Sequence, residues 1–417
     1  MIRRIAFLSV HTSPLAPMGG NKTGGMNVYI RELAQELGQR GFHIDIFTRR
    51  SDQSEPDVDR RIGPNVNVIY IKAGPITPLT PDEHFPYLSE FTAHVMAYAM
   101  RHNVQYDVIY SHYWLSGWVA AKLKETWGTP FLQMFHTLGY MKERIRSTKQ
   151  VMPNQRIETE MHIVEWADRI IAATPAEQAQ LLWLYRSRRK KIEIIPPGVN
   201  IERFHPVGMQ AAREKLGMAK DKQLLLFVGR VERLKRIDTV LRALADLGER
   251  DSDILQRLCF MVVGGDPHDA DNDEMSCLQR MTDQLNLRSY VCFAGAREQD
   301  VLPLYYSAAT VVLMPSDYES FGMVALEAMA SGTPVIASEV GGLAFLVKDG
   351  ETGFLVPTKS PERIAERIRD LVVNPEKREK MGEQASHLAQ SYAWNQIADR
   401  LLDSFNTIVK RGAAGES

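Results

Sequence analysis

Two successive series of short apolar runs, each alternating with helical patterns, constrain the fold of this chain most strongly. The first series opens at residues 5–10 and continues through HIDIFTR, VNVIYIKAG, YDVIYSHYW, PFLQMFHTLG and RIIAAT. The second begins near Lys191 with KIEIIPPGVN, followed by QLLLFVGR, LCFMVVGG, SYVCFAG, TVVLMPS, TPVIASEVGG and TGFLVP. Alternation of this kind predicts right-handed strand–helix–strand units and a parallel sheet. Two such series predict two doubly wound α/β domains.

The length and the internal breakers of the chain suggest where these domains meet. A chain of 417 residues is long enough for two domains of ordinary size. Pro196-Pro197-Gly198 continues neither a helix nor a strand, so we place the boundary near Pro197. We therefore predict an N-terminal domain over residues 1–196 and a C-terminal domain over residues 197–393. Residues 394–417 are predicted to form a long amphipathic helix that packs back on the N-terminal domain, followed by a tail.

Composition excludes several functional classes. The formal net charge is −1, which gives no support to a nucleic-acid partner. The three cysteines are too few for a disulfide framework or a zinc site and favour a reducing cytoplasm. No apolar run reaches the roughly 18 residues that a membrane span requires, and the N-terminus shows no signal-peptide pattern. We expect a cytoplasmic protein without an integral membrane segment, and a homodimer stays open.

A glycine-rich loop separates the first predicted strand from its helix. Gly19-Gly20 and Gly24-Gly25 precede a helical pattern at residues 28–37. Glycines before a helix N-terminus present free N–H groups and the positive end of the helix dipole, an arrangement that binds phosphate. Neither a Gly-x-Gly-x-x-Gly fingerprint nor a P-loop is present. The glycines alone leave open a flexible loop without a ligand.

The second half carries a basic pair directly after a predicted strand. FVGRVERLKRID contains Arg230 and Lys235, five residues apart. Two cations beside a strand–helix turn suit a diphosphate, because they would neutralise charge on a departing nucleotide. By position alone, two solvated surface cations remain the alternative.

A second motif combines two carboxylates with a helix N-terminus. In PSDYESFGMVALEAMASG, Glu319 and Glu327 flank the turn at residues 320–322, and residues 323–330 predict a helix. Its N-terminus would suit a hydroxyl-rich or anionic ligand. Glu327, about two turns along, could accept two hydrogen bonds from a vicinal diol such as ribose. Taken alone, Glu319 also fits an ordinary acidic residue at a helix N-terminus.

These motifs together resemble the retaining glycosyltransferases of family 4, which have the GT-B fold of two facing Rossmann-like domains with an interdomain cleft. The motifs are GGNKTGGMNVY, the basic pair, ESFGMVALE and GTPVIASEVGG. Within the family, HTSPLAPMGG and YSHYWLSGWV resemble the D-inositol 3-phosphate glycosyltransferases. FHTLGYMKERI and QRIETE are equally similar to the sucrose-phosphate synthases.

The resemblance implies roles for individual residues. The catalytic residues that it implies are His136, Arg230, Lys235 and Glu319. The implied donor-binding residues are Gly24, Gly25, Gly229, Phe321, Gly322 and Glu327. The implied acceptor-binding residues are Asn27, Tyr113, Thr137 and Arg156. Taken alone, a histidine after a strand, such as His136, also fits a structural role.

The resemblance further implies a reaction. A hexosyl group would pass from a nucleotide sugar, UDP-glucose or UDP-N-acetylglucosamine, to a phosphorylated acceptor such as fructose 6-phosphate or inositol phosphate. Transfer would occur on the front face, with no cofactor and without a required metal. Pro81 stands near the position where the inositol-phosphate enzymes have a further phosphate-binding lysine, and Lys72 lies nine residues earlier. This departure makes a sugar phosphate a serious alternative acceptor.

Other functions remain open. A GT-B-fold epimerase would consume a nucleotide sugar without a second substrate. A glycosyltransferase could instead act on a lipid or polysaccharide acceptor. A phosphorylase-like enzyme would need pyridoxal phosphate, and a non-catalytic sensor would bind nucleotide sugars without turnover.

Overall fold

The computed structural model describes residues 2–16, 24–146, 154–218, 222–269 and 272–415. Gly19 and Gly20 of the predicted phosphate loop lie outside these ranges. The chain divides into two compact units. Of the described residues, the first contains those of Met1–Ala16, Gly25–Pro196 and Trp394–Ser417, and the second contains Gly24 and those of Pro197–Ala393. No helix of the described part of the chain is long and apolar enough to cross a membrane.

The first unit is built on an eight-stranded sheet. Its strands are β1 (Arg4–Leu8), β2 (His43–Arg49), β3 (Val58–Asp59), β4 (Val66–Ile71), β5 (Val108–His112), β6 (Phe131–Met134), β7 (Arg169–Ala172) and β8 (Ile192–Ile194). Their order across the sheet is β3-β4-β2-β1-β5-β6-β7-β8. Only the pairing of β3 with β4 is antiparallel among these described strands. The parallel strands read as continuous apolar runs because helices cover both faces.

Helices connect these strands. They are α1 (Gly25–Gln39), α2 (Pro81–His84), α3 (Leu88–Arg101), α4 (Tyr113–Trp127), α5 (Gly139–Arg146), α6 (Gln155–Trp166) and α7 (Pro175–Leu184). Helix α4 follows β5 without a break and buries Trp114 completely. Phe85 stacks on this indole at a centroid distance of 5.6 Å. Burial of large aromatic side chains of this kind makes a large hydrophobic contribution to the core.

The second unit has a six-stranded parallel sheet. Its strands are β9 (Gln223–Val228), β10 (Leu258–Val263), β11 (Val291–Gly295), β12 (Val311–Met314), β13 (Val335–Ser338) and β14 (Gly353–Val356). Their order is β11-β10-β9-β12-β13-β14. The reversal of strand order next to β9 is the topological switch point, where α/β sheets bind ligands beyond the carboxyl ends of their strands.

The helices of the second unit cover this sheet. They are α8 (Met209–Lys215), α9 (Ile237–Arg250), α10 (Ser252–Gln256), α11 (Asp273–Gln284), α12 (Leu302–Ala308), α13 (Met323–Ala330), α14 (Gly341–Leu346), α15 (Pro361–Val373) and α16 (Pro375–Ala389). Helix α9 buries Val240, Leu244 and Leu247. Their spacing of three and four residues puts them on one face, which packs on the sheet. Each such side chain contributes about 1.5–3 kcal/mol of hydrophobic stabilisation when fully buried.

The last helix, α17 (Trp394–Gly415), lies in the first unit. Trp394 packs edge-on against Tyr29, and Phe405 packs against Tyr110. Arg40 of α1 forms an ion pair with Asp399, with 2.5 Å between Nη1 and Oδ1. The chain therefore ends in its N-terminal unit. The apolar face of α17 packs on that unit, and the ion pair with Arg40 fixes the edge of the helix.

The structure corrects one strand assignment. The run KIEIIPPGVN is predicted above to open the second series, but Ile192–Ile194 pairs in parallel with β7 as the last strand of the first sheet. Strand membership depends on which partner supplies the hydrogen bonds, and the local apolar pattern does not contain that information.

Candidate active site

Two neighbouring strand ends of the first unit carry unusual backbone conformations. Tyr113 follows β5 with φ of 75°, and His136 lies two residues beyond β6 with φ of 60°. Residues other than glycine rarely adopt a positive φ of this kind. Holding such a residue in this left-handed conformation costs about 1–3 kcal/mol of conformational energy. Strain of this kind clusters at functional sites. The carboxyl edge at β5 and β6 is therefore the first place to look for chemistry.

Arg156 brings the three residues of the predicted phosphate-binding set together. Its Nη1 donates to the Tyr113 hydroxyl at 3.0 Å. Its Nη2 donates to the Thr137 carbonyl at 2.6 Å and to the Thr137 hydroxyl at 3.1 Å. The guanidinium also lies over the Tyr113 ring, with 4.8 Å between Cζ and the ring centroid. Two hydroxyls and a guanidinium thus share one location, which suits a phosphate monoester.

Glu160 holds Arg156 in this position from one helical turn away. Its fully buried carboxylate accepts a hydrogen bond from Arg156 Nε at 2.7 Å. The same carboxylate accepts the Gly139 N–H at 2.9 Å and the Tyr185 hydroxyl. A buried carboxylate needs such partners, because an unpaired buried charge is strongly unfavourable. The network fixes the Nε edge of Arg156 and leaves its two Nη groups directed at Tyr113 and Thr137.

His11 lies beside Tyr113. Its ring lies 4.4 Å from the Tyr113 ring and 6.4 Å from the His84 ring, centroid to centroid. Burial lowers the pKa of the His11 imidazole well below its usual value, and four nearby basic groups lower it further. These groups are His84, His136, Arg156 and Lys142. Of these groups, Arg156 and Lys142 carry positive charge at pH 7, and that charge favours an anionic ligand.

His84 lies in the segment where the resemblance implies a phosphate-binding lysine. Pro81 begins α2, and Lys72 is exposed beyond the end of β4. The buried residue of α2 is His84, whose Nδ1 donates to the Thr80 carbonyl at 2.7 Å. Sequence patterns drew attention to Pro81 and Lys72 but gave no sign of His11 or His84. His11 is the first residue of the run HTSPLAPMGG, and nothing in that run indicates that its ring lies beside Tyr113.

His136 faces His112 from the adjacent strand end. Nε2 of His136 lies 3.1 Å from Nδ1 of His112. Burial lowers the pKa of His136 to about 3, so its imidazole is neutral at pH 7. A neutral imidazole has one N–H donor and one acceptor nitrogen. His136 therefore offers hydrogen bonding to a ligand, not a positive charge.

The predicted residues at the start of α1 have different surroundings. Gly25 is the first residue of the helix, and Gly24 precedes it. A Cβ added at Gly24 would meet nothing within 4 Å among the described residues. Asn27 is buried and donates to the Thr12 hydroxyl at 2.8 Å and to the Ser13 carbonyl at 2.7 Å. Asn27 thus ties the helix start to the segment after β1, and its acceptor contact stays a prediction.

In the second unit, Lys235 and Glu319 form an ion pair. Their Nζ and Oε2 atoms are 2.6 Å apart, and each side chain is 17% exposed. Lys235 ends a single 3₁₀ turn after β9, and Glu319 follows β12, its neighbour in the sheet. Arg230 is instead paired with Glu232 at 3.1 Å and is 46% exposed. The structure therefore joins one predicted cation to a predicted carboxylate and leaves the other near the surface.

Close backbone contacts fix the turn that contains Glu319, Phe321 and Gly322. Gly342 N–H donates to the Glu319 carbonyl at 2.9 Å. A Cβ at Gly342 would lie 2.2 Å from Phe321 Cα, so only glycine fits. Gly322 has φ of 102° and precedes α13 directly. The start of α14 thus packs against the turn at residues 319–322. That turn leads into the N-terminus of α13, where N–H groups are open.

We predict that Gly342→Ala destabilises the protein and displaces this turn. The added methyl group would meet backbone, which cannot move aside as a flexible side chain can, so we expect the free energy of unfolding to fall by about 1–3 kcal/mol. Denaturant unfolding would measure the change. Gly350→Ala is the control, because a Cβ there meets nothing within 4 Å and only its φ of 77° opposes the substitution. A Gly342→Ala protein within 0.5 kcal/mol of wild type would contradict the assigned contact.

Glu327 lies on α13, whose bounds match the predicted residues 323–330. It is only 7% exposed. Its Oε2 accepts a hydrogen bond from the buried Tyr306 hydroxyl at 2.8 Å. Gly229 directly follows β9 with φ of 148°, and a Cβ at Gly264 would lie 1.8 Å from its carbonyl oxygen. Their contacts with a donor stay predictions.

No group of three or more His, Cys, Asp or Glu side chains in the described ranges could hold a metal ion.

Family models match both units. The model described as "Glycosyltransferase Family 4" matches residues 23–203. The model described as "Glycosyl transferases group 1" matches residues 209–388. Together they span most of the chain.

Relatives and solved structures agree with these models. The chain is 39% identical over 412 residues to the D-inositol 3-phosphate glycosyltransferase of Streptomyces avermitilis, covering 98% of this chain and 88% of the relative. It is 39% identical to D-inositol 3-phosphate glycosyltransferase 2 of Catenulispora acidiphila, covering 98% and 96%. The sucrose-phosphate synthase from Thermosynechococcus elongatus superposes with a TM-score of 0.89 at 35% identity, covering 98% of this chain and all of that one.

These similarities confirm the predicted fold class of two Rossmann-like domains and the predicted transferase activity. The chain belongs to the family 4 glycosyltransferases of GT-B fold.

Proposed function

We propose that this glycosyltransferase moves a hexosyl group from a nucleotide sugar to a phosphorylated sugar or polyol, with retention of configuration. Acceptor recognition is assigned to the first unit and donor recognition to the second. UDP-glucose and UDP-N-acetylglucosamine are the proposed donors, and fructose 6-phosphate and inositol phosphate are the proposed acceptor types.

The Arg156 cluster carries this proposal. Tyr113 begins α4, Thr137 lies in the loop after β6 and Arg156 lies in α6, and the Arg156 guanidinium is hydrogen-bonded to both partners. Glu160 pre-orients the guanidinium, which reduces the cost of ordering it when a phosphate binds. The positive charges of Arg156 and Lys142 near His11 add favourable potential for a dianion. The names of the relatives support the same chemistry, since one is named for an inositol phosphate and the other for a sucrose phosphate.

The second unit supports the donor side. Lys235 is already held beside Glu319, so its ammonium is in place to meet a diphosphate, and Arg230 could swing in from the surface. The N-terminus of α13 provides open N–H groups, and Glu327 is held by Tyr306. Lys235, Arg230 and the N–H groups of α13 would stabilise negative charge as the nucleoside diphosphate departs, without a required metal ion.

The proposed reaction is a front-face substitution. The bond from the anomeric carbon to the β-phosphate oxygen breaks, and the acceptor hydroxyl oxygen bonds to the anomeric carbon on the same face. The acceptor proton passes to the departing phosphate. His136 suits hydrogen bonding and not this proton transfer, because a base with a pKa of about 3 has little affinity for a proton at pH 7.

A matrix of nucleotide sugars against acceptors tests the proposal. UDP-, ADP- and GDP-sugars would each be combined with fructose 6-phosphate, inositol phosphate and their dephosphorylated forms. Nucleotide release and product mass would be read together. We expect a product of hexosyl plus phosphorylated acceptor for at least one pair. Donor consumption without any acceptor would favour an epimerase instead, and product only from unphosphorylated acceptors would refute the phosphate assignment.

A further inference from the structure

His112 contacts His136, and the proposed reaction assigns His112 no role. It is the last residue of β5 and is fully buried. Its Nδ1 lies 3.1 Å from His136 Nε2, and among the described residues this is the one hydrogen bond that either ring makes. Two imidazoles at adjacent strand ends are therefore joined edge to edge, with one hydrogen between them.

Aromatic rings pack around His112, and one of them, Tyr29, also contacts His136 at a centroid distance of 5.3 Å. The rings of Phe7, Tyr29 and Tyr110 lie 5.4, 5.7 and 4.3 Å from it, centroid to centroid. Nε2 of His112 is buried and has no hydrogen-bond partner in the described part of the chain. The hydroxyls of Tyr29 and Tyr110 hydrogen-bond to each other at 2.7 Å. Burial, and then the neighbouring His136, lowers the pKa of His112 well below its usual value, so the pair is neutral.

A neutral pair can share its hydrogen in two ways. If His136 Nε2–H donates to His112, the second hydrogen of His112 must sit on Nε2, where a buried N–H would have no acceptor. If His112 Nδ1–H donates to His136, the buried His112 Nε2 carries only a lone pair. Unpaired buried N–H groups are rarer than under-satisfied acceptors. The second arrangement is therefore favoured.

We propose that His112 is a positioning residue that fixes His136 in the tautomer protonated at Nδ1. Nδ1 of His136 makes no hydrogen bond to the described residues, and His136 is partly exposed. The ring therefore offers an N–H donor to an oxygen of the bound substrate. The identity of this oxygen as a sugar hydroxyl rests on the proposed function. The assignment of the tautomer does not depend on that function.

Nitrogen NMR of the ligand-free protein tests the tautomer directly. In protein labelled with ¹⁵N-histidine, long-range proton–nitrogen correlations distinguish protonated from unprotonated ring nitrogens. The His136 signals would be identified by their loss in His136→Gln. We expect Nδ1 of His136 to be protonated and Nε2 to be unprotonated at pH 7. A protonated Nε2 would overturn the proposal, whether or not the protein transfers sugars.

Two matched substitutions then test the role in turnover. His112→Asn keeps an N–H donor near the position of Nδ1, and His112→Asp offers only an acceptor there. We expect His112→Asn to keep kcat within about threefold of wild type. His112→Asp should lower kcat about tenfold or more, the effect of one lost hydrogen bond, with the acceptor KM within about twofold. Equal kcat in the two folded variants would overturn the positioning role.

Discussion

Lys235→Ala is expected to lower kcat about a hundredfold or more, with a smaller change in the acceptor KM. Its ammonium is the enclosed cation of the donor side, 2.6 Å from Glu319. Removing one group that stabilises developing negative charge typically costs about 10²–10³ in turnover, because that charge is greatest in the transition state. Steady-state kinetics with the best donor and acceptor pair would measure the loss.

Two comparisons separate this effect from a loss of structure. Lys235→Arg keeps the positive charge and should recover part of the lost turnover. Lys348→Ala removes an exposed lysine of the same unit and should leave kcat unchanged. Lys235→Ala should also unfold within a few degrees of wild type, because partly exposed ion pairs contribute only about 0–1 kcal/mol. Wild-type turnover in folded Lys235→Ala protein would reject its role with the departing diphosphate.

Arg156→Ala is expected to raise the acceptor KM about thirtyfold or more, with little change in the donor KM. The variant loses both Nη donors that are directed at Tyr113 and Thr137. Charge-assisted hydrogen bonds contribute about 1.5–3 kcal/mol each, so losing the site's guanidinium should cost more than a tenfold change in affinity. Initial rates with each substrate varied in turn would give both constants.

The internal control for this variant is the comparison of the two KM values. Among the described residues, Arg156→Ala leaves the buried Glu160 with the Gly139 N–H and the Tyr185 hydroxyl as its partners, so some destabilisation is expected. A smaller folded fraction lowers the apparent kcat and changes neither KM. Arg156→Lys keeps the charge but not the fork of donors, and it should fall between wild type and alanine. Equal rises in both KM values would reject Arg156 as a phosphate-binding group.

Local patterns were sufficient to predict much of the fold. The apolar runs of parallel strands and the 3.6-residue spacing of the helices are visible in any window, and residues 323–330 form a helix as predicted. The strand Ile192–Ile194 was assigned to the wrong series, because its partner β7 is chosen by tertiary packing. Information of that kind is not contained in a short stretch of sequence.

The candidate site was predictable only in part. The set of Tyr113, Thr137 and Arg156 came from a resemblance, and the structure brings the three residues together. The His112–His136 contact was not predictable, because it exists only once β5 and β6 pair side by side. The contact between Lys235 and Glu319 was not predictable either, because the two residues are 84 positions apart in the sequence.

The ratio of kcat/KM for a phosphorylated acceptor to that for its dephosphorylated counterpart tests the central claim most directly. Both would be measured with the same nucleotide sugar, in wild type and in Arg156→Ala. The Arg156 cluster predicts a ratio of about 100 or more in wild type, equivalent to about 2.7 kcal/mol of phosphate recognition, and a collapse of that ratio in the variant. A wild-type ratio near one would contradict the account.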